Sequence, residues 1–318
     1  MLSICIPTRN RAAFLDATLA SLTRQTVFQR TDEVEIVVSD NFSSDATSGV
    51  IAAFKERFPT KIISLGTREP VDPNANFALT LEAGRGLLRK LHNDTLLARD
   101  GFLEEFLGLI RQYESQRPLL FFPNGRSIKE ARAGLTQCRD LDAFVRHVSF
   151  YSTWIGAFSL WNDDVPVHAP LFHRAAHRFV QTEILFLSLS AGRPVVVCDL
   201  EFGESAEAPR KLGKKHMESV YFAEYLPLLR RAALAGYIRE STLQNEIRRF
   251  CVLYYVPWYH KLSGGKFSSQ FFRDFRFIRD YAPGFHYYAA CLFYLLFCLA
   301  GRTVRKHRKL ARKIRSCF

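Results

Sequence analysis

The stretch from Leu2 to Asn10, LSICIPTRN, decides how the rest of this 318-residue chain is interpreted. It begins with an apolar run as long as a buried strand, reaches Pro7, and ends in three polar residues. Strands buried on both faces are typical of parallel sheets, whose ligands bind beyond the carboxyl ends of the strands. The stretch therefore predicts the first strand of an α/β domain, with a candidate site directly after it.

Strand-like and helix-like patterns alternate from this stretch to about residue 123. Further strand-like runs occupy 34–40, 61–66, 87–94 and 118–125, and amphipathic helical runs occupy 11–25, 43–58, 74–86 and 97–115. This rhythm predicts a mostly parallel sheet with helices on both faces. From 124 to 205 the pattern is less regular, and from about 217 onward it predicts helices.

Three of these strands are followed by polar clusters that contain Asp or Asn. The clusters are PTRN at 7–10, SDNFSSD at 39–45 and HNDT at 92–95. A purely structural sheet also ends its strands in turns. Since the carboxyl ends of parallel strands meet at one edge, however, the three clusters favour a shared binding site.

The patterns from Pro7 to Asn10 and from Asp40 to Thr47 resemble glycosyltransferase family 2, the inverting enzymes with a GT-A fold. The resemblance covers roughly residues 2–215 and is strongest in the first hundred. It implies a nucleotide-sugar donor, with Asp40 bonded to the base. The nucleotide-binding residues that it implies are Pro7, Thr8, Asn10, Asp40 and Asn41. An alternative for Asp40 is a turn or helix cap.

The HND triplet occupies the place of the family's metal motif. By resemblance Asp94 binds a divalent cation, Mn²⁺ or Mg²⁺, because two phosphates beside a carboxylate would otherwise repel it. His92 and Asn93 are then expected at the donor diphosphate. The alternative is that Asp94 or Thr95 caps a following helix. A later basic run at 209–219 implies a second metal ligand and two diphosphate contacts: His216, Lys214 and Lys215. A solvated basic loop is the alternative there.

An inverting transfer needs one carboxylate that accepts the proton of the acceptor hydroxyl. In the outline of the family that carboxylate begins a helix, which makes Glu183 in QTEILFLSLSAG the candidate base. A first-turn glutamate is also favoured by the helix dipole. Asp163 and Asp164 form a rival pair that is typical of a turn. Trp154 and Trp161 are the candidates for stacking on the acceptor sugar, with a core role as the alternative.

The chain carries a net charge of +13, and eight of its basic side chains lie between 302 and 315. Apolar runs at 267–278 and 286–301 precede them. The second is shorter than the roughly twenty residues that span a bilayer. These patterns predict a helical region at 216–318, after a catalytic domain at 1–215, that binds an anionic membrane surface through 267–318. A helical bundle or an oligomer interface is the alternative.

The sequence thus predicts an inverting glycosyltransferase, peripheral on the cytoplasmic face of a membrane. Its acceptor is expected to be a glycan linked to a lipid of the cell envelope. A catalytically inactive membrane scaffold with the same fold is the main alternative. Binding of nucleic acid is suggested by charge alone and is not expected, because the charge is concentrated in a tail. Nothing at the start of the chain predicts a signal peptide.

Overall fold

The structure is a computed structural model that describes residues 1–125, 134–174, 177–206, 223–263, 267–277, 279 and 284–298. The chain divides into two compact units, Met1–Arg210 and Lys211–Phe318. The predicted domain boundary at 215/216 lies outside the described residues. Among the helices that are described, none is long and apolar enough to cross a membrane.

Five strands of the first unit form the sheet that positions the site, in the order β3-β2-β1-β4-β8. The strands of the unit are β1 Leu2–Thr8, β2 Val34–Asp40, β3 Ile62–Gly66, β4 Leu88–Leu91, β5 Leu96–Ala98, β6 Leu119–Phe121, β7 Gly134–Cys138, β8 Ser159–Trp161, β9 Val195–Asp199 and β10 Gly203–Ser205. β1 to β4 pair in parallel and β8 runs antiparallel to β4. The predicted mostly parallel sheet is confirmed.

The helices of the first unit lie between these strands. They are α1 Ala12–Thr23, α2 Thr26–Arg30, α3 Thr47–Arg57, α4 Pro73–Ala83, α5 Phe102–Tyr113, α6 Leu141–Val148, α7 Val165–Arg174 and α8 Val180–Ser190. The helix expected directly after the HND triplet begins later, at Phe102. Residues 96–98 instead form β5, which pairs with β10, because three apolar residues suffice for a short strand.

β1 and β2 lie at the centre of the sheet and are buried along almost their whole length. Their sequences are apolar throughout because both faces of each strand are buried. At the amino end of β2, the buried Glu35 carboxylate accepts bonds from the Ser3 hydroxyl at 2.6 Å and from Nε of Arg85 at 2.7 Å. This network anchors the end of the sheet opposite to the candidate site.

The second unit is helical in its described part, in agreement with the predicted pattern. Its helices are α9 Leu226–Leu234, α10 Glu240–Arg249, α11 Val256–Leu262, α12 Gln270–Asp274 and α13 at residues 284–298, with a π-helix at Phe250–Tyr255 and a 3-10 helix at Phe275–Phe277. Aromatic side chains fill its interior.

The apolar pattern at 267–278 was expected to face a membrane, and the structure corrects this for Phe271 and Phe275, whereas Phe267 is 40% exposed. Phe271 and Phe275 are fully buried, and their rings stack 5.2 Å apart. Phe271 also stacks on Tyr294 of α13, with 4.0 Å between the ring centroids. These rings form the core of the helical unit, which was the alternative. Ile278 lies outside the described residues.

Candidate active site

A cavity of about 400 Å³ opens at the carboxyl edge of the sheet in the first unit. Its walls come from residues 7–9 and Arg11 at the carboxyl end of β1 and just after it, Asn41 after β2, the start of α4, and residues 91–95 around the end of β4. Ile155 borders it as well. The three polar clusters therefore converge, as expected of parallel strands that end at one edge.

Asp94 is held at this cavity by two threonines. The Thr8 hydroxyl donates to Oδ2 of Asp94 at 2.8 Å, and the Thr18 hydroxyl donates to its backbone oxygen at 3.0 Å. The first bond ties the predicted metal ligand to the end of β1, and the second ties it to α1. Since hydrogen bonds to a carboxylate favour its charged form, the carboxylate is well placed to face a cation.

His92 borders the cavity, but its side chain is turned into the protein. The residue is 1% exposed, and Nε2 lies 2.9 Å from the Leu96 carbonyl oxygen, so Nε2 carries the proton. Burial, with Lys90 nearby, lowers the pKa of His92 to about 3, which keeps the imidazole neutral. The ring closes the turn of residues 92–96 that presents Asp94, and its Nδ1 atom has no hydrogen-bond partner among the described residues. The predicted donor contact of His92 stays a prediction.

Asn93 faces the turn that contains Gly156. Its Oδ1 atom is buried and has no hydrogen-bond partner within the part of the chain that the structure describes. A Cβ atom added to Gly156 would lie 2.1 Å from that oxygen and 3.0 Å from two ring atoms of Trp154, so a larger residue here would displace the Asn93 side chain. The predicted contact of Asn93 with the diphosphate stays a prediction.

Lys90 lies beneath this arrangement and was missed in the sequence, where the only signal is a lysine within an apolar strand. Its side chain is fully buried, and Nζ donates to the Gly156 carbonyl at 2.7 Å and to the Leu91 carbonyl at 3.0 Å. Nζ also lies 4.4 Å from the centroid of the Phe202 ring. Burial lowers the pKa of Lys90 to about 7. The lysine thus joins β4 to the 155–157 turn below the cavity.

The loops after β1 and β2 are bonded to each other. Asn10, at φ 52°, accepts from the Ser44 amide through Oδ1 at 2.8 Å, and its own amide donates to the Ser43 hydroxyl at 2.8 Å. Oδ1 of Asp40 accepts from the Ser43 amide at 3.1 Å and from the Ser43 hydroxyl. We call this set the loop clasp. The turn role that was the alternative for Asp40 is present, and its contact with a base stays a prediction.

Asn41 forms a second connection at the cavity. Its amide nitrogen donates to the Val71 carbonyl at 2.9 Å, and its amide oxygen accepts from the Val71 amide at 2.8 Å. Asn41 therefore fixes the chain just before α4, while it also borders the cavity beside Pro7 and Thr8. For these three residues the predicted nucleotide contact stays a prediction.

Glu183 lies in the first turn of α8 and is about one-third exposed. Its Oε2 atom is 2.8 Å from Nε2 of His177. The His177 carbonyl in turn accepts from the Asn74 side chain at 2.9 Å, and Asn74 follows Pro73 at the cavity wall. One chain of hydrogen bonds thus connects the candidate base to that wall.

The start of α8 is also hydrogen-bonded to the segment that precedes Ile155. The Gln181 side chain donates to the Thr153 carbonyl at 2.7 Å, and the Thr182 hydroxyl donates to the Ser152 carbonyl at 3.0 Å. Both acceptors lie a few residues before Ile155, which borders the cavity. Glu183 is thus connected through neighbouring residues to two segments that border the cavity, and its role as base stays a prediction.

The rival carboxylates, Asp163 and Asp164, have structural partners. Asp164 makes a bidentate ion pair with Arg193, with distances of 2.6 and 2.9 Å, and Asp163 pairs with Arg117. Both belong to a short 3-10 helix at Asn162–Asp164. They form the turn that was expected of them.

The two tryptophans differ. Trp161 is fully buried, and its Nε1 donates to the Pro118 carbonyl at 2.6 Å, so the predicted stacking on an acceptor sugar is wrong for this residue. Trp154 is partly exposed and stacks on Phe202, with 6.1 Å between the ring centroids. It remains the acceptor candidate. The sequence pattern of the aromatic run alone did not show that Trp161 is buried in the core while Trp154 is partly exposed.

Three predicted site residues, His216, Lys214 and Lys215, lie within 207–222, outside the described residues.

Asp94 is the carboxylate that the lining of the cavity offers to a divalent cation. In the described ranges no group of three or more His, Cys, Asp or Glu side chains converges as a metal site. Mg²⁺, however, is commonly held by one or two carboxylates together with substrate phosphates, and needs no cage made by the protein alone. Asp94 at the cavity fits that mode.

Comparison with known proteins agrees with the sequence pattern. Residues 3–124 match the family described as Glycosyl transferase family 2, so the predicted resemblance is confirmed for this part of the chain. Validoxylamine A glucosyltransferase of Streptomyces hygroscopicus is 44% identical over 63 residues, which are 20% of this chain and 14% of that protein. Abequosyltransferase RfbV of Salmonella typhimurium is 31% identical over 86 residues, 27% of this chain and 25% of that protein. The chain thus spans a quarter or less of these relatives.

Solved structures share the fold over most of the chain. S. aureus TarS 1–349 in complex with UDP has a TM-score of 0.58 at 12% identity, covering 96% of this chain and 91% of that one. The same TarS fragment with UDP-GlcNAc has a TM-score of 0.55 at 14% identity, covering 96% and 92%. At such low identity the likeness shows the fold, a mixed α/β arrangement of GT-A type.

Proposed function

We propose that this chain, whose residues 3–124 match Glycosyl transferase family 2, transfers a sugar from a nucleotide-sugar donor to an acceptor hydroxyl with inversion. The observation that carries the proposal is the cavity where three strand ends meet, with Asp94 held at its wall by Thr8. The names of the relatives and the UDP-GlcNAc complex of TarS support a nucleotide sugar as the donor class.

The donor diphosphate is expected beside Asp94. A divalent cation held by this carboxylate would neutralise the two phosphates and stabilise the leaving nucleoside diphosphate. Arg9 and Arg11 border the same cavity and add positive charge to it. The base of the nucleotide is expected near the loop clasp, where Asp40 can accept a hydrogen bond from an imide N–H. Asn41 holds the neighbouring chain in place for it.

Glu183 is proposed as the base. It takes the proton of the acceptor hydroxyl while the oxygen attacks the anomeric carbon from the side opposite to the diphosphate. The sugar–phosphate bond breaks in the same step, and its electron pair leaves with the nucleoside diphosphate. His177 orients the carboxylate through the 2.8 Å contact, and Trp154 offers a ring face to the acceptor sugar. The acceptor is proposed to be a glycan, linked to a lipid of the envelope, at the cytoplasmic face of the membrane.

The test is a panel of UDP-, GDP- and dTDP-sugars, assayed for binding by thermal shift and for turnover by release of the nucleoside diphosphate, with Mn²⁺, Mg²⁺ or EDTA. Asp94→Asn is expected to lower turnover by roughly a hundredfold or more and to weaken binding in the presence of metal. Glu183→Gln should lower kcat by about 10² to 10⁴ with donor binding unchanged. Asp100→Asn, at an exposed carboxylate paired with Arg24, is the matched control.

Unchanged metal-dependent turnover in Asp94→Asn would reject the metal assignment, and a normal kcat in Glu183→Gln would reject the base. A second candidate is a fold that binds donor without turnover. It is favoured by His92, which leaves a single carboxylate where the family's metal motif has more. Donor binding by thermal shift without release of nucleoside diphosphate from any sugar of the panel would favour that candidate.

A further inference from the structure

Helix α13, at residues 284–298, carries a continuous row of exposed apolar side chains. Phe285, Tyr288, Leu292 and Leu296 are 61%, 65%, 59% and 54% exposed, and Leu295 beside them is 39% exposed. Their spacing of three and four residues places them on one face of the helix. We call these five residues the outer stripe. Large apolar side chains scattered singly are ordinary on a surface, but a row along a whole helix marks an interaction site.

The opposite face of α13 is anchored, so the orientation of the outer stripe is fixed. Ala290 and Tyr294 are fully buried, and the Tyr287 hydroxyl donates to the Phe272 carbonyl at 3.0 Å. The Tyr294 ring stacks on Phe271. Rotating the helix to bury the stripe would break these contacts, so the exposure follows from the fold of this unit.

Positive charge flanks the outer stripe in the chain. On its amino side Arg273, Arg276 and Arg279 are exposed, and the Arg279 guanidinium lies 4.3 Å from the ring centroid of Tyr287. On its carboxyl side the sequence continues with eight Lys and Arg residues between 302 and 315, and no acidic residue follows Asp280. A row of aromatic and leucine side chains between cations suits the boundary between acyl chains and anionic headgroups.

The two faces of α13 decide how it would meet a bilayer. Among the described helices none is long and apolar enough to cross a membrane. Because one apolar face is exposed and the opposite face is packed in protein, the helix is suited to lie in the plane of the surface. A protein partner would need no such concentration of one sign of charge at the end of the stripe.

We propose that the outer stripe docks on an anionic lipid surface, with α13 parallel to the membrane and the exposed Arg273, Arg276 and Arg279 at the headgroups. This inference stands apart from the proposed transfer reaction, because it rests on residues of the second unit alone. It replaces the face predicted from sequence, since Phe271 and Phe275 belong to the core.

The experiment is co-sedimentation of the full chain with vesicles of phosphatidylcholine alone or with 30% phosphatidylglycerol. The wild-type chain should partition onto the anionic vesicles at least tenfold more strongly. Leu292→Ser/Leu296→Ser should weaken this partition at least tenfold, and Leu292→Glu/Leu296→Glu should weaken it further. Leu234→Ser is the matched control, because Leu234 is 89% exposed at the end of α9 and lies outside the stripe. It should bind within twofold of wild type.

Circular dichroism confirms that each variant is folded, which is expected because the substituted side chains are exposed. Wild-type protein that fails to sediment with anionic vesicles would overturn the proposal, as would a serine double variant that binds as wild type does. Light scattering after size-exclusion chromatography tests whether the stripe is instead an interface between two copies of the chain. If the double variant changes a dimer into a monomer while vesicle binding is unchanged, the stripe is an interface between two copies and the lipid proposal is wrong.

Discussion

Replacing the buried Lys90 with methionine should change how the stability of the first unit depends on pH. In the folded protein burial lowers the pKa of Lys90 from 10.5 to about 7. Between these values the unfolded chain carries a proton on this lysine that the folded chain lacks. The free energy of unfolding of the wild type therefore rises with pH, because stability rises wherever the unfolded state binds more protons. Methionine has no such group, so Lys90→Met loses this dependence.

The magnitude follows from the two pKa values. One pKa unit corresponds to about 1.4 kcal/mol, so the desolvation of the ammonium costs roughly 5 kcal/mol below pH 7 and nothing above pH 10.5. From pH 7.0 to 8.5 the cost falls by about 1.6 kcal/mol, after allowing for partial protonation near the folded pKa. Methionine also gives up the bonds to the Gly156 and Leu91 carbonyls, a loss of about 1–3 kcal/mol each that is independent of pH.

The assay is urea unfolding followed by tryptophan fluorescence in a Trp258→Phe background, so that the signal comes from Trp154 and Trp161. The free energy of the Lys90→Met variant minus that of wild type should fall by about 1.6 kcal/mol between pH 7.0 and 8.5. Measurements stop at pH 8.5 because burial raises the pKa of the Cys5 thiol above its ordinary 9.0, which has the opposite effect on stability at higher pH. A difference that stays constant over this range would refute the reasoning.

Three further predictions concern the site. Gly156→Ala should destabilise the first unit by about 1–3 kcal/mol in urea unfolding, because its Cβ would collide with Oδ1 of Asn93; equal stability would contradict the close approach. Asn41→Leu removes two hydrogen bonds to Val71, so it should lower the free energy of unfolding by about 1–3 kcal/mol and raise the KM for donor. A loss of stability with an unchanged KM would show that Asn41 has a structural role only. Trp154→Ala should raise the KM for acceptor about tenfold with the KM for donor unchanged, and an unaltered KM for acceptor would remove it from that site.

The central strands and the convergence of their polar ends could be predicted from sequence because both depend on local pattern. Continuous apolar runs at β1 and β2 indicate burial on both faces, and Asp94 follows from its place after a strand. The HND triplet also led to the prediction that His92 contacts the donor, and the structure shows that the His92 ring is hydrogen-bonded to the Leu96 carbonyl. Whether a strand-end side chain points to the cavity or to the core depends on packing against residues distant in sequence.

Lys90 and Trp161 show the limit more directly. For a lysine within an apolar strand, the local sequence does not show whether the ammonium group is solvated at an edge or buried. In the structure Lys90 is buried and donates to the Gly156 carbonyl, 66 residues further along the chain. Trp161 and Trp154 belong to the same aromatic run, and only the pairing of β8 with β4 decides that Trp161 is covered. The burial of Phe271 could not be predicted from sequence either, because the helical spacing of the apolar residues at 267–278 suits a membrane surface and a protein core equally.

The loop clasp bears on how the nucleotide preference of this chain could change. Under the proposed function Asp40 selects the base, yet its carboxylate also holds Ser43, which Asn10 of the other loop contacts in turn. A substitution at one position would therefore loosen two loops at once. Donor preference should transfer between related chains when residues 7–12 and 40–47 are exchanged together, and chimaeras that exchange one loop alone should lose donor binding.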